Sequence, residues 1–140
     1  MDTDDCLCTA LRRAALASTA LYDEALAPTG LKVTMYRLLK KAAEGEPPSI
    51  SELAQRMGLD RSTLGRNVRV LEREGLVALR PGGADGRERT VALTAGGRDA
   101  LAAAVPLWRR AQRDMRARIG GRDAELLDLV GAIDPGPSTA

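Results

Sequence analysis

Asp60-Arg61-Ser62-Thr63-Leu64-Gly65-Arg66-Asn67-Val68-Arg69-Val70-Leu71-Glu72-Arg73-Glu74-Gly75 carries the fold of this chain. At 100° per residue, Leu64, Val68 and Leu71 share one face of a helix, and Ser62, Arg66, Arg69 and Arg73 fall in a band roughly opposite. Asp60 reads as the N-cap, because its carboxylate can accept the free N–H groups of a first turn. Gly75 reads as the stop, so the spacing predicts a helix over 61–74. A shorter helix is expected just before it, over 51–57, with Leu53, Ala54 and Met57 inward. Ser49 and Glu52 have the spacing of a capping box, and Gly58 ends that helix. Two short helices joined by Gly58-Leu59-Asp60 fit a helix-turn-helix. The apolar face would hold the second helix on the body, and the cationic face would meet a groove. The major groove of B-DNA admits one α-helix. Gly65 costs about 1 kcal/mol of helix propensity relative to Ala; close approach of the backbone to DNA explains it, and so does neutral drift.

The hydrophobic period changes after Gly75. Val77 and Leu79 alternate with Ala78 and Arg80, and Val91 and Leu93 alternate with Thr90 and Ala92. Between the two runs lies Pro81-Gly82-Gly83-Ala84-Asp85-Gly86, so a β-hairpin is expected. A hairpin directly after a recognition helix is the wing of a winged helix. Its loop end offers Asp85, Arg87 and Arg89. An Arg at a wing tip can enter a narrow minor groove, where negative potential is enhanced, and Asp85 is placed to hold Arg87 as an ion pair.

Outward from this centre the periodicity is helical. Leu7, Leu11, Leu21 and Leu26 mark a first helix over about 5–27, ended by Pro28-Thr29-Gly30, and a second is expected over about 33–43. Thr94 can cap a long helix over about 95–119, which Pro106 should kink or divide. Gly120-Gly121 breaks the chain before a last helix over about 122–133. The expected architecture is therefore mainly α with a small β-hairpin wing. A winged helix-turn-helix spans 31–94, and helices from 1–30 and 95–140 form a dimerisation region. Those end helices carry Leu7, Leu11, Leu107, Trp108, Leu126, Leu127 and Val130, apolar residues that a winged helix does not require. A two-fold homodimer would cover them; the alternative is a single larger core within one chain.

Charge supports the same division. The chain of 140 residues has a net charge of only +2, yet residues 49–98 hold nine Arg against six acids, while the flanking stretches are close to neutral. Arg suits bidentate contacts with phosphate and base edges. The absence of His removes Ser-His-Asp and Cys-His catalysis and imidazole-based zinc sites. No cofactor is implied, and no enzyme is expected. No apolar run is long enough for a transmembrane helix, and the acidic start Met1-Asp2-Thr3-Asp4-Asp5 is unlike a secretory signal, so no membrane partner and a cytoplasmic location are expected.

Three segments resemble the MarR family of winged-helix transcription regulators. They are Ile50-Ser-Glu-Leu-Ala-Gln-Arg-Met-Gly-Leu-Asp-Arg-Ser-Thr-Leu64, Val70-Leu-Glu-Arg-Glu-Gly-Leu-Val77 and the wing segment Asp85-Gly-Arg-Glu-Arg-Thr-Val-Ala-Leu-Thr-Ala-Gly-Gly97. The last is similar to the family's D-x-R…L-T-x-x-G stretch and is the most specific. The resemblance implies a homodimer that represses at a palindromic operator in double-stranded DNA, with a pocket for a small-molecule effector or oxidant signal between the dimer and DNA-binding regions. It also implies that Asp85 and Arg87 support a minor-groove contact. From the helix geometry, Arg61, Ser62, Thr63, Arg66 and Asn67 are expected nearest the bases, and Arg69 and Arg73 nearest phosphates. The rival readings are an enzyme using paired carboxylates, for which no Asp/Glu pair sits in a recognisable setting, and a winged helix used for protein contact without DNA.

Cys6 and Cys8 open the first helix, and at that spacing they point about 200° apart, which disfavours a disulfide between them inside a helix. Leu7-Cys8-Thr9-Ala10-Leu11 with Tyr22 is similar to the family's organic-hydroperoxide-sensing (OhrR) branch. That resemblance implies a peroxide-reactive Cys8 with Tyr22 as a hydroxyl partner, while two further tyrosine positions of the branch are Arg12 and Val33 here. The sensing species would be the thiolate. The other reading makes Cys6 and Cys8 small apolar residues at a dimer interface.

Overall fold

The computed structural model describes residues 6–82 and 86–136. Among these residues six α-helices and one antiparallel hairpin follow in the order α1 (Leu7–Leu26), α2 (Val33–Ala42), α3 (Ile50–Met57), α4 (Arg61–Arg73), β1 (Val77–Gly82), β2 (Glu88–Leu93), α5 (Ala95–Arg118) and α6 (Asp123–Ile133). Local chemistry explains the boundaries. The Ser49 Oγ accepts the Glu52 amide at 3.1 Å and so caps α3, and Gly58 closes it in the left-handed region at φ 66°. The Thr94 Oγ accepts the Gly97 amide at 3.0 Å at the start of α5 and donates to the Gly75 carbonyl at 2.6 Å, which ties α5 to the end of α4. The start of α2 is capped from elsewhere in the chain: the Asp23 carboxylate, on α1, accepts the Val33 amide at 2.7 Å.

The expected helix pair and hairpin are present, and the hairpin is longer than the alternation indicated. Its register pairs Val77 with Leu93, Leu79 with Val91 and Pro81 with Arg89. Pro81 is tolerated in a two-stranded sheet because each strand has an open edge. The Val91 amide donates to the Pro48 carbonyl at 2.8 Å, which pins the wing to the segment before α3.

Leu64, Val68 and Leu71 are fully buried, as their shared face requires, alongside Leu26, Leu38, Leu39, Leu53 and Val91. Leu26 of α1 and Ala104 of α5 belong to this same core, so the boundaries expected near residues 30 and 95 separate roles and not cores. Two expectations are corrected. Pro106 does not divide its helix, since α5 runs unbroken from Ala95 to Arg118. Leu107 and Trp108 do not await a partner: both pack against the core of their own chain, and the Trp108 ring stacks on Tyr36 with centroids 5.8 Å apart. The uncovered apolar side chains are those of α1 and α6. Leu7 is 80% exposed, Leu127 68% and Ile133 66%, and α6 buries no residue at all. Among the described residues no helix is long and apolar enough to cross a membrane.

Candidate nucleic-acid interface

The exposed side of α4 is organised from its cap. The Asp60 Oδ1 accepts both the Thr63 amide and the Ser62 hydroxyl at 2.7 Å, and its Oδ2 accepts the Thr63 hydroxyl at 2.8 Å. Those hydrogen bonds, the Ser62 hydroxyl foremost, hold the carboxyl down at about 2. The Thr63 oxygen then accepts from the Arg66 guanidinium at 3.3 Å. A chain of carboxylate, hydroxyl and guanidinium thus aims Arg66 while leaving most of its donors unused. Ser62 and Thr63 stand where they were expected, but their hydroxyl protons point at Asp60. Outward they are left with lone pairs, which suit amino donors better than phosphate oxygens. The organising role of Asp60 went unread beyond its helix cap.

Arg61, Ser62, Arg66, Arg69 and Arg73 are exposed along α4, and Thr63 and Asn67 are half-buried. Arg89 comes toward them from β2. It shares a strand face with Val91, and an open cleft of about 790 Å³ between α4 and the wing is lined by Arg61, Arg66 and Arg69 on one side and Leu79 and Arg89 on the other. Arg87 is exposed and lies with Arg80 and Arg89 around a notch in the outer wing. Arg80 was not among the expected contacts. Its alternation on β1 places it away from the apolar face, opposite Thr90, and only the shared notch shows it near Arg87 and Arg89. Asp85 lies outside the described residues, and with it the expected Asp85–Arg87 pair.

The sensor residues are further apart than the resemblance suggests. Cys6 and Cys8 are both free and exposed. Cys6 sits at the N-cap of α1, where the Thr9 backbone and side chain draw its thiol pKa down. Cys8 and Tyr22 lie on the same helix, fourteen residues and so about 21 Å apart along it. Within one protomer they cannot touch. The Tyr22 hydroxyl instead donates to the Gln112 side-chain oxygen, joining α1 to α5, and burial pushes its pKa up against the opposing charge of Arg116. Tyr22 also lines an open cleft of about 310 Å³ between α1, α2 and α5, with Val33, Arg37, Trp108 and Gln112. This is where an effector pocket was expected.

The sequence profile of the MarR family matches residues 29–88, from the end of α1 into the wing. No curated protein matches the chain. Among solved structures, the chain is similar to the transcriptional regulator MosR of M. tuberculosis in complex with DNA, at 40% identity over 93% of this chain and 99% of that one, with a TM-score of 0.75. It is similar to the transcriptional repressor CouR bound to a 23-mer DNA duplex, at 27% identity over 91% of this chain and 92% of that one, with a TM-score of 0.79. CouR from Rhodococcus jostii RHA1 bound to p-coumaroyl-CoA is 28% identical over 94% of this chain and 92% of that one, with a TM-score of 0.75.

Proposed function

The chain belongs to the MarR family of transcription regulators, and from that premise we propose that it is a dimeric DNA-binding repressor, released from its operator when an effector acts between the dimer helices and the winged helix. One observation carries the reading: α4 buries Leu64, Val68 and Leu71 and turns Arg61, Arg66, Arg69 and Arg73 outward beside an arginine-bearing wing. MosR on DNA and CouR on a duplex and with p-coumaroyl-CoA support both halves of the proposal. In this reading α4 enters the major groove, with Arg61, Ser62, Thr63, Arg66 and Asn67 toward the bases and Arg69 and Arg73 toward phosphates. Asp85, Arg87 and Arg89 serve the wing.

The bare apolar faces of α1 and α6 supply the dimer contact, and the two-fold sets two α4 helices on half-sites about one DNA turn, ~34 Å, apart. An effector in the cleft beside Tyr22 and Trp108 changes that spacing, so both helices no longer insert together. A coupling of about 1–3 kcal/mol suffices to change occupancy markedly. Such a regulator works in the cytoplasm, where the chromosome is. The experiment is duplex affinity against salt, using DNA from upstream of the gene. A steep negative slope of log K against log salt is expected. A flat response, or no binding, would favour a winged helix that contacts protein.

A second reading has its own observation. Cys8 is exposed at the start of α1 in the single protomer. Its thiolate sulfur would attack the terminal oxygen of an organic hydroperoxide and break the O–O bond, becoming sulfenic acid, while the alkoxide takes a proton from water and leaves as the alcohol. Because Tyr22 lies about 21 Å away along the same helix, a tyrosine partner for Cys8 has to come from the second protomer. Peroxide should release the wild type from DNA and leave Cys8→Ser bound; release that persists in the variant removes Cys8 from the mechanism.

A further inference from the structure

Gly65 has no purpose inside the protein. Its backbone is helical and not left-handed, and a Cβ built on it meets nothing within 4 Å. Gly58 and Gly75 adopt positive φ, and a Cβ on Gly97 would collide with the Leu76 carbonyl; Gly131, on exposed α6, shares the open surroundings of Gly65 but lies far from the cationic face. Gly65 nonetheless sits in the middle of α4, where glycine weakens a helix. Its direction identifies what it faces. It lies on the flank of α4 turned toward the wing, among the residues lining the cleft. A helix in a major groove and a hairpin in the neighbouring minor groove are separated by the one sugar–phosphate strand that divides those grooves. That strand has to pass between α4 and the wing.

We propose that this cleft seats one sugar–phosphate strand of the duplex, with Gly65 as its floor, so that the missing side chain sets how deeply α4 enters the major groove. The inference rests on the DNA-binding reading above. The walls suit the occupant: Arg69 from α4 and Arg89 from β2 meet the strand, while Arg61 and Arg66, also in the lining, reach past it toward the bases. Glu72, two turns beyond Gly65 on the same flank, is the carboxylate in the lining. It repels phosphate and keeps the strand on the N-terminal side of its own turn of α4. A bare backbone at the floor is the usual means by which a chain lets a ligand approach closely.

The test compares wild type with Gly65→Ala and Gly65→Leu on the operator duplex and on an unrelated duplex, over a range of salt, together with thermal melting. Gly65→Ala should melt higher than wild type, because it gains helix propensity and meets no neighbour. It should bind both duplexes about tenfold more weakly, with a salt slope flatter by roughly one phosphate contact, ~0.9, and Gly65→Leu should bind more weakly still. Gly65→Ala binding as tightly as wild type overturns the seat while leaving DNA binding intact. So does a loss confined to the operator at unchanged salt slope, which would mean a base contact, or a lowered melting temperature, which would mean packing. Wild type that binds neither duplex removes the seat together with the DNA-binding reading.

Discussion

Arg66 shows how far a side chain can be read before its neighbours are known. Its place on the cationic face of α4 follows from helical spacing alone. That it is steered through Thr63 by Asp60 does not, because the relay depends on side-chain torsions that no spacing encodes. Arg66→Ala should cost about 1–3 kcal/mol of operator affinity and relax base choice at one position in each half-site. Binding to a panel of operators substituted one base pair at a time checks this, and an unchanged preference would reassign Arg66 to the phosphates. Ser62 and Thr63 were legible as site residues but not in the sense of their hydrogen bonds, which run inward to Asp60.

The helices owe their ends to a few hydrogen bonds, and these give element-specific tests. Asp60 caps α4, and its folded carboxyl is lowered to about 2 from an ordinary 3.8. Stability linked to a lowered carboxyl is fully present above the ordinary value and is lost as pH falls through the folded one. The Thr63 amide should therefore titrate with a midpoint near 2 in a pH series followed by NMR. A midpoint near 4 would mean that the cap is not held in solution. At the other junction, the first turn of α5 lies against the backbone of Leu76 at Gly97. Gly97→Ala should lose about 1–3 kcal/mol in urea unfolding through overpacking. Gly96→Ala should be nearly silent, because its Cβ would meet the Gly75 carbonyl oxygen at an ordinary 3.5 Å. The caps at Ser49, Asp60 and Thr94 were legible because each acts within three residues. The cap that Asp23 provides for α2 spans ten residues and was not.

The whole molecule is one core with two uncovered ends. Leu126 and Leu129 of α6 are 41% and 61% exposed, and they share a helix face at i, i+3 spacing. A Leu126→Glu, Leu129→Glu double variant should sediment as a single protomer with a largely unchanged fold, since neither residue belongs to the buried core. Its affinity for a duplex carrying both half-sites should fall by about 100-fold or more, the order of the gain that linking two sites provides. A variant that remains dimeric would move the contact elsewhere, toward α1.

Amphipathic period, capping residues and the run of arginines specified the helix pair, the hairpin and the cationic face without any knowledge of packing. Each of those signals acts between residues a few positions apart, so each survives in the chain read as text. Packing settled the rest. Trp108 turned inward onto Tyr36 rather than outward to a partner, and Pro106 stayed within a continuous α5. Tyr22 closed on Gln112 across ninety positions, and Arg89 came to face α4 across the cleft. These contacts join residues distant in sequence, and which distant surfaces meet depends on how every element fills the shared core.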